Sequence, residues 1–206
     1  LTRLQAATVL SAHREGVSAL DRERIDREIR RMDVLIGDIL RYSRLDDTAS
    51  MTRRLVRTED LLREIAQDAE VEAARSGVRL QLQVASDLYV VGDPDLLHSA
   101  FENLVRNAIR HSPADGLVEV TAVAGEDIHV EILDSGPGVP EQFLERIFEP
   151  WFRVPRPGVA GGPTGTGLGL AIARRVFTLH GGRVLARRRP AGGLVLEVRL
   201  PAAQVS

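Results

Sequence analysis

Apolar positions along this 206-residue chain change spacing several times, and each change marks an element. The first part has a helical period. Residues 1–15 have a helix-forming composition that Gly16 breaks, and a second helix is expected over residues 19–42, with Asp21 in its first turn. Ile25, Ile29, Met32, Ile36 and Ile39 step by four, three, four and three, the seam of a coiled coil or bundle. Leu35 and Leu40 widen the stripe, so this helix should meet more than one neighbour. Two antiparallel helices alone bury little surface, and pairing two copies into a four-helix bundle would supply the missing partner. Residues 46–50 read as a linker.

Downstream, strand and helix spacings alternate. Thr58 reads as the N-cap of a helix over residues 59–76, which Gly77 ends. Val78, Leu80, Leu82 and Val84 alternate with Arg79, Gln81 and Gln83, as in a half-buried strand. A short strand over 88–91 leads into the turn Gly92-Asp93-Pro94. Leu96, Leu97, Ala100, Phe101, Leu104, Val105, Ala108 and Ile109 define the next helix, ended by Ser112-Pro113. Strands over 117–123 and 128–134 join as a hairpin through Gly125-Glu126-Asp127, and a short helix is expected near 140–147. Residues 150–164 are rich in proline and glycine without periodicity and read as a mobile lid. A helix over 168–180 follows, then strands over 183–189 and 193–200. Helices with mostly antiparallel strands predict an α+β fold, a two-layer α/β sandwich over residues 55–203. A helical hairpin, residues 1–46, and a linker, 47–54, would precede it.

Composition removes several classes of chemistry. Hydrophobic residues make up 44% and charged residues 27%, as in a globular chain. With 27 basic and 29 acidic residues the net charge is −2, so the totals imply no polyanion-binding surface and no nucleic-acid partner is expected. The absence of cysteine excludes disulfides, thiolate metal sites and cysteine nucleophiles. No stretch approaches the roughly 18 apolar residues of a membrane span, and no signal peptide is visible. Because the chain opens on Leu1 rather than Met, a fragment is expected, with any membrane segment in sequence beyond it.

The candidate chemistry lies in three clusters. Gly165-Thr166-Gly167-Leu168-Gly169 places three alternating glycines before a helix, where backbone N–H groups and the helix dipole can cradle phosphates. A plain turn would look the same. Asn103 and Asn107 lie four apart on one helix face; their amide oxygens suit Mg²⁺, or they merely bond nearby backbone. Arg110 could reach phosphate from that face or stand solvated. His111 could donate to phosphate or cap the helix end. Asp134, followed by Gly136 and Gly138, could accept from the exocyclic amine of adenine or guanine, or be an aspartate in an ordinary turn. Phe148, Trp151 and Phe152 beside the expected lid fit core packing better than base stacking.

Taken together, Asn103-x-x-x-Asn107, Asp134-x-Gly136-x-Gly138, Phe148-Glu149-Pro150-Trp151-Phe152 and Gly165-x-Gly167-x-Gly169 resemble the four ATP-binding boxes of sensor histidine kinases, with their Bergerat-type catalytic domain. Leu1-Thr2-Arg3-Leu4 is similar to the residues just after that family's phosphoacceptor motif. Arg44-Leu45-Asp46 is similar to the end of the second hairpin helix, and the segment 104–112 resembles the envelope-stress type of kinase. The resemblance implies a kinase core that binds ATP with Mg²⁺ and moves the γ-phosphoryl to a histidine, then to a response regulator's aspartate. It implies that Asn107 ligates Mg²⁺, Asp134 holds the adenine amine, and Gly136 and Gly138 line the base pocket. Arg110, His111 and the run Gly165, Thr166, Gly167, Leu168 and Gly169 would meet phosphate, with Asn103 orienting phosphate or water. It also implies a homodimer through the hairpin, and a cytoplasmic portion of a bacterial inner-membrane protein.

One departure stands out. The acceptor histidine should lie upstream of Leu1, and His13 lacks the acidic neighbour of the motif. His98, His129 and His180 have no carboxylate or histidine partner at metal-ligand spacing and read as structural. A hydrolytic ATPase of the same fold would place a glutamate where Asn103 stands; Glu102 is one residue away, about a hundred degrees round the helix. A regulatory module that binds nucleotide without transferring phosphate would carry the same boxes.

Overall fold

The structure is a computed structural model that describes residues 19–45, 51–155, 165–190 and 192–203. The chain divides between Arg44 and Leu45 into two compact units. In the first, helix α1 spans Ala19–Arg44. Ile29 on its expected seam is buried, whereas Ile25, Met32, Ile36 and Ile39 are exposed. The helix expected over 1–15 and the linker over 46–50 lie outside the described residues.

The second unit begins with strand β1 (Arg54–Arg57), helix α2 (Thr58–Arg75), and strands β2 (Arg79–Val84) and β3 (Tyr89–Gly92). Helix α3 (Pro94–His111) and strands β4 (Leu117–Ala124) and β5 (Asp127–Leu133) follow. Two 3-10 turns, Glu141–Phe143 and Arg146–Phe148, replace the single short helix expected there. Helix α4 (Gly169–Leu179) and strands β6 (Arg183–Arg188) and β7 (Leu194–Pro201) complete it. β1 pairs antiparallel with β3, and the other five strands form one sheet in the order β2-β4-β5-β7-β6. Only β2 runs parallel to its neighbour in that sheet, because β3 and α3 carry the chain back before β4 begins.

Alternation decides the layers. Val118, Val120, Ala122, Ile128, Val130, Ile132, Leu196 and Val198 are all buried on the sheet's inner face. They share one core with Phe101, Leu104 and Ile109 of α3 and with Ile172, Val176 and Phe177 of α4. Phe101 and Phe177 meet edge to face with ring centroids 4.9 Å apart. The result is the two-layer α+β sandwich.

Two local readings change. Thr58 is the first helical residue rather than the cap; its side chain is buried and its N–H donates to the Leu88 carbonyl at 2.8 Å. Tertiary packing has taken the capping threonine inside. Arg54–Arg57, where the linker reading ended, is a strand, too short to show a period on its own.

Candidate functional site

The apolar alternation of β5 stops at Leu133 and leaves a carboxylate where another buried residue would stand. Asp134 is 3% exposed. Its Oδ1 accepts the N–H groups of Gly136 at 2.8 Å and Leu194 at 2.9 Å. Both donations fall on Oδ1, so Oδ2 is the oxygen a ligand would use. Burial pushes the Asp134 carboxyl above its usual range, outweighing the two backbone donations and the Arg189 charge. Around this group only backbone fits. A Cβ at Gly136 would lie 2.6 Å from the His111 carbonyl, and one at Gly138, whose φ is +72°, would lie 2.9 Å from that of Gly193. A Cβ at Gly193 would collide with the Asp134 carbonyl. A flat base can therefore approach a wall without side chains. Gly193 and Leu194 were not anticipated as part of this wall. Their signal was the pair Gly192-Gly193, which read only as a strand start.

The second side of the site is α3. Asp93 caps it, accepting at Oδ1 from the N–H groups of Asp95 at 3.1 Å and Leu96 at 3.2 Å, with Pro94 in the first turn. The helix then presents Asn103 and Asn107, both half-buried, with Arg110 exposed and His111 at its last position. Asn103 Nδ2 is buried with no hydrogen-bond partner among the described residues. An orphaned donor of this kind suits a phosphate or water oxygen and cannot ligate a cation.

The glycine loop supplies the third side and meets α3 directly. A Cβ at Gly165 would lie 2.7 Å from Arg110 Nη1, and one at Gly169 would lie 2.9 Å from Asn103 Oδ1. Thr166 Oγ1 accepts the Leu168 N–H at 3.2 Å, while Leu168 itself is buried. Among the described residues no side chain caps α4, whose first N–H groups open at this loop. Gly167, with φ +79°, accepts the Trp151 N–H at 2.9 Å, which ties the loop to the end of the aromatic segment. The structure thus brings Asn103, Arg110, Gly165 and Gly169 together, and joins His111 to the Asp134 wall through Gly136.

Other expectations fare differently. Phe148 is core, and Phe152 leans on Phe143 with ring centroids 5.6 Å apart and Arg146 over its face at 4.3 Å. Trp151 departs from the core reading, being 54% exposed with φ +67°. The expected lid falls mostly on residues 156–164, outside those described. Glu102 turns away from the site toward Arg106, 3.4 Å away, which also meets Glu72 at 3.1 Å. His129, read as partnerless, stands 3.2 Å from Glu197 and 3.9 Å from Glu131. Strand register sets Glu131 opposite Glu197, which sequence spacing alone does not give. Arg187 and Arg199 already pair with these carboxylates.

Residues 92–204 match the family model described as histidine kinase-, DNA gyrase B- and HSP90-like ATPase. Sensor histidine kinase CpxA of Escherichia coli (strain K12) is 38% identical over 205 residues, covering 98% of this chain and 44% of CpxA. Sensor protein PfeS of Pseudomonas aeruginosa is 41% identical over 185 residues, covering 88% of this chain and 40% of PfeS. The crystal structure of full-length ShkA in complex with AMPPNP aligns with a TM-score of 0.76 at 26% identity, over 92% of this chain and 40% of ShkA. The chain spans less than half the length of these relatives.

Proposed function

We propose that this chain, which belongs to the histidine kinase-, DNA gyrase B- and HSP90-like ATPase family as the catalytic domain of a two-component sensor kinase, binds Mg·ATP between α3, the Asp134 wall and the glycine loop. It then passes the γ-phosphoryl to a histidine, for relay to the aspartate of a response regulator. The observation that carries this reading is the convergence of a buried carboxylate in a wall of glycines with a glycine loop that meets Asn103 and Arg110 at the start of α4. Asp134 Oδ2 accepts from the exocyclic amine, and Gly136 and Gly138 let the ring lie close. The N–H groups at 165–169 and the Arg110 guanidinium hold phosphate oxygens, with His111 beside them. Asn103 donates through its free Nδ2 to phosphate or to an ordered water.

The α3 face also fits Mg²⁺. It offers the neutral amide oxygen of Asn107, beside a donor at Asn103 that suits a phosphate or water oxygen rather than the cation, while the carboxylate of Glu102 is held by Arg106. A single protein oxygen suits a cation that keeps waters and substrate phosphates in its shell. Bound there, Mg²⁺ supplies neutralisation of charge on the phosphate oxygens. This chain's residues position and shield; the nucleophile is a histidine nitrogen within about 3–3.5 Å of the phosphorus. We assign that role to the histidine of the hairpin's phosphoacceptor motif rather than to His13, which lacks the motif's acidic neighbour. The same reading makes the exposed stripe of α1 one side of a homodimeric four-helix bundle, and makes the whole protein an inner-membrane sensor with this portion in the cytoplasm.

The test is calorimetric titration of the wild type and Asn107→Ala with ATP, with and without Mg²⁺. The wild type should bind more tightly with the metal, and the variant should lose that difference while remaining folded. Equal metal dependence in both proteins would remove Asn107 from the site.

A further inference from the structure

The antiparallel helices α3 and α4 meet at the site through Asn103 and Gly169. Their far ends are joined by a histidine that the nucleotide reading leaves without a task. His180, just past α4, is 8% exposed. Its Nδ1 lies 2.7 Å from the Val176 carbonyl, and its Nε2 lies 3.0 Å from the Asp93 N–H. A carbonyl can only accept and a backbone N–H can only donate, so the ring is neutral, with its proton on Nδ1. Asp93 is also the N-cap of α3, and its Oδ2 accepts the Thr52 N–H at 3.0 Å. The imidazole therefore bonds the last turn of one phosphate-facing helix to the N-cap of the other. Only glycine at position 92 admits the ring, since a Cβ there would lie 2.8 Å from Nε2 and closer still to Cδ2.

We propose that His180 is a positioning residue for the phosphate half of the nucleotide pocket, its neutral ring acting as a clamp that sets the spacing of α3 and α4 and opens on protonation. This rests on the pocket assignment above. A proton on Nε2 would face the Asp93 N–H donor to donor, so the bond that joins the helices is the one protonation breaks. Burial holds the imidazole below its usual range, against the Val176 carbonyl, which favours the proton. Among the described residues two charged groups act on the ring. Arg53, whose Nη2 donates to the Leu179 carbonyl at 2.9 Å, opposes protonation, and the Asp93 carboxylate favours it. The ring also borders a cavity of about 250 Å³ that Arg53 lines together with Val90, Leu97, Leu200 and Pro201, and of these only Arg53 carries a charge. The base is held differently, by Asp134 and the start of β7, so a loosened clamp should cost phosphate binding and spare adenosine.

The experiment measures affinities for Mg·ATP and for adenosine in the wild type, His180→Leu, His180→Gln and Asp134→Ala between pH 5.5 and 8. Glutamine can keep an acceptor for the Asp93 N–H without a titrating ring. At pH 8, His180→Leu should bind ATP about tenfold more weakly, as expected if the phosphate-binding helix spacing falls to roughly a tenth of the population, with adenosine binding unchanged. Acid should weaken ATP binding by the wild type beyond any trend in His180→Gln, while the adenosine affinities of the two proteins follow one common trend. Unchanged ATP affinity in a folded His180→Leu, or pH trends identical in the wild type and His180→Gln, would overturn the clamp. If Asp134→Ala weakens both ligands in that case, the pocket assignment survives without it. A wild type that binds neither ligand overturns pocket and clamp together.

Discussion

Gly169 stands so close to Asn103 that a Cβ on the glycine would sit 2.9 Å from the asparagine's Oδ1. The last glycine of the loop is therefore needed for what faces it across the α3–α4 seam. Gly169→Ala should push the Asn103 amide aside and weaken Mg·ATP binding by about tenfold, roughly 1.4 kcal/mol. Alanine favours a helix over glycine by up to about 1 kcal/mol, so thermal stability should change little. Calorimetry paired with a melting curve separates the two, and an unchanged affinity would remove the Asn103–Gly169 contact from the site.

Asp134 makes two predictions. Asp134→Ala removes the acceptor for the base and should lower nucleotide affinity by about 10- to 100-fold, the range for a hydrogen bond to a buried charged group. Its carboxyl is raised by burial, and only the ionised form accepts at both oxygens. Adenosine binding should therefore weaken on acidification from a pH above the ordinary aspartate value of about 3.9. Titration of adenosine affinity from neutral to mildly acid pH checks this. A plateau down to that ordinary value would contradict it.

His180 also makes stability depend on pH. The folded protein holds this imidazole below its unfolded value of about 6.5, so on acidification the unfolded chain takes up its proton first. The contribution of the neutral ring is complete above about pH 6.5 and is lost as the pH falls from there toward the folded value. Asp134, raised rather than lowered, works in the opposite sense: the folded state takes its proton first, and acidification through its folded value adds stability. Denaturant midpoints of the wild type minus those of His180→Gln isolate the histidine. The difference should shrink between pH 7 and 5.5, and a flat difference would contradict the buried neutral ring.

Much of this was legible beforehand because signals agreed at several levels. Helix α3 has a continuous helical period, Asp93-Pro94 at one end and Ser112-Pro113 at the other, and it occupies Pro94–His111. The glycines at 136, 138, 165, 167 and 169 marked positions where backbone approaches something else, and each proves crowded. What escaped depended on partners distant in sequence. Alternation told β2 which face to bury but not that β4 would lie beside it in parallel. Thr58 looked like a cap until packing enclosed it. Residues 140–147 suited a short helix, yet the chain turns twice in 3-10 geometry. His129 gains Glu197 only through strand register, and His180 gains Asp93 only once two helices fold antiparallel.

Transfer of the γ-phosphoryl to a histidine is tested most directly by incubating the chain with γ-labelled Mg·ATP and a separately supplied helical hairpin bearing an acceptor histidine. Label that survives alkali and is lost in acid should appear on the hairpin. It should vanish when the hairpin's histidine is replaced or when this chain carries Asp134→Ala. Release of inorganic phosphate with the hairpin unlabelled would contradict transfer and favour a hydrolytic ATPase. The same acid-labile label on this chain alone, lost in His13→Ala, would contradict the assignment of the motif's histidine as the acceptor and make His13 the acceptor.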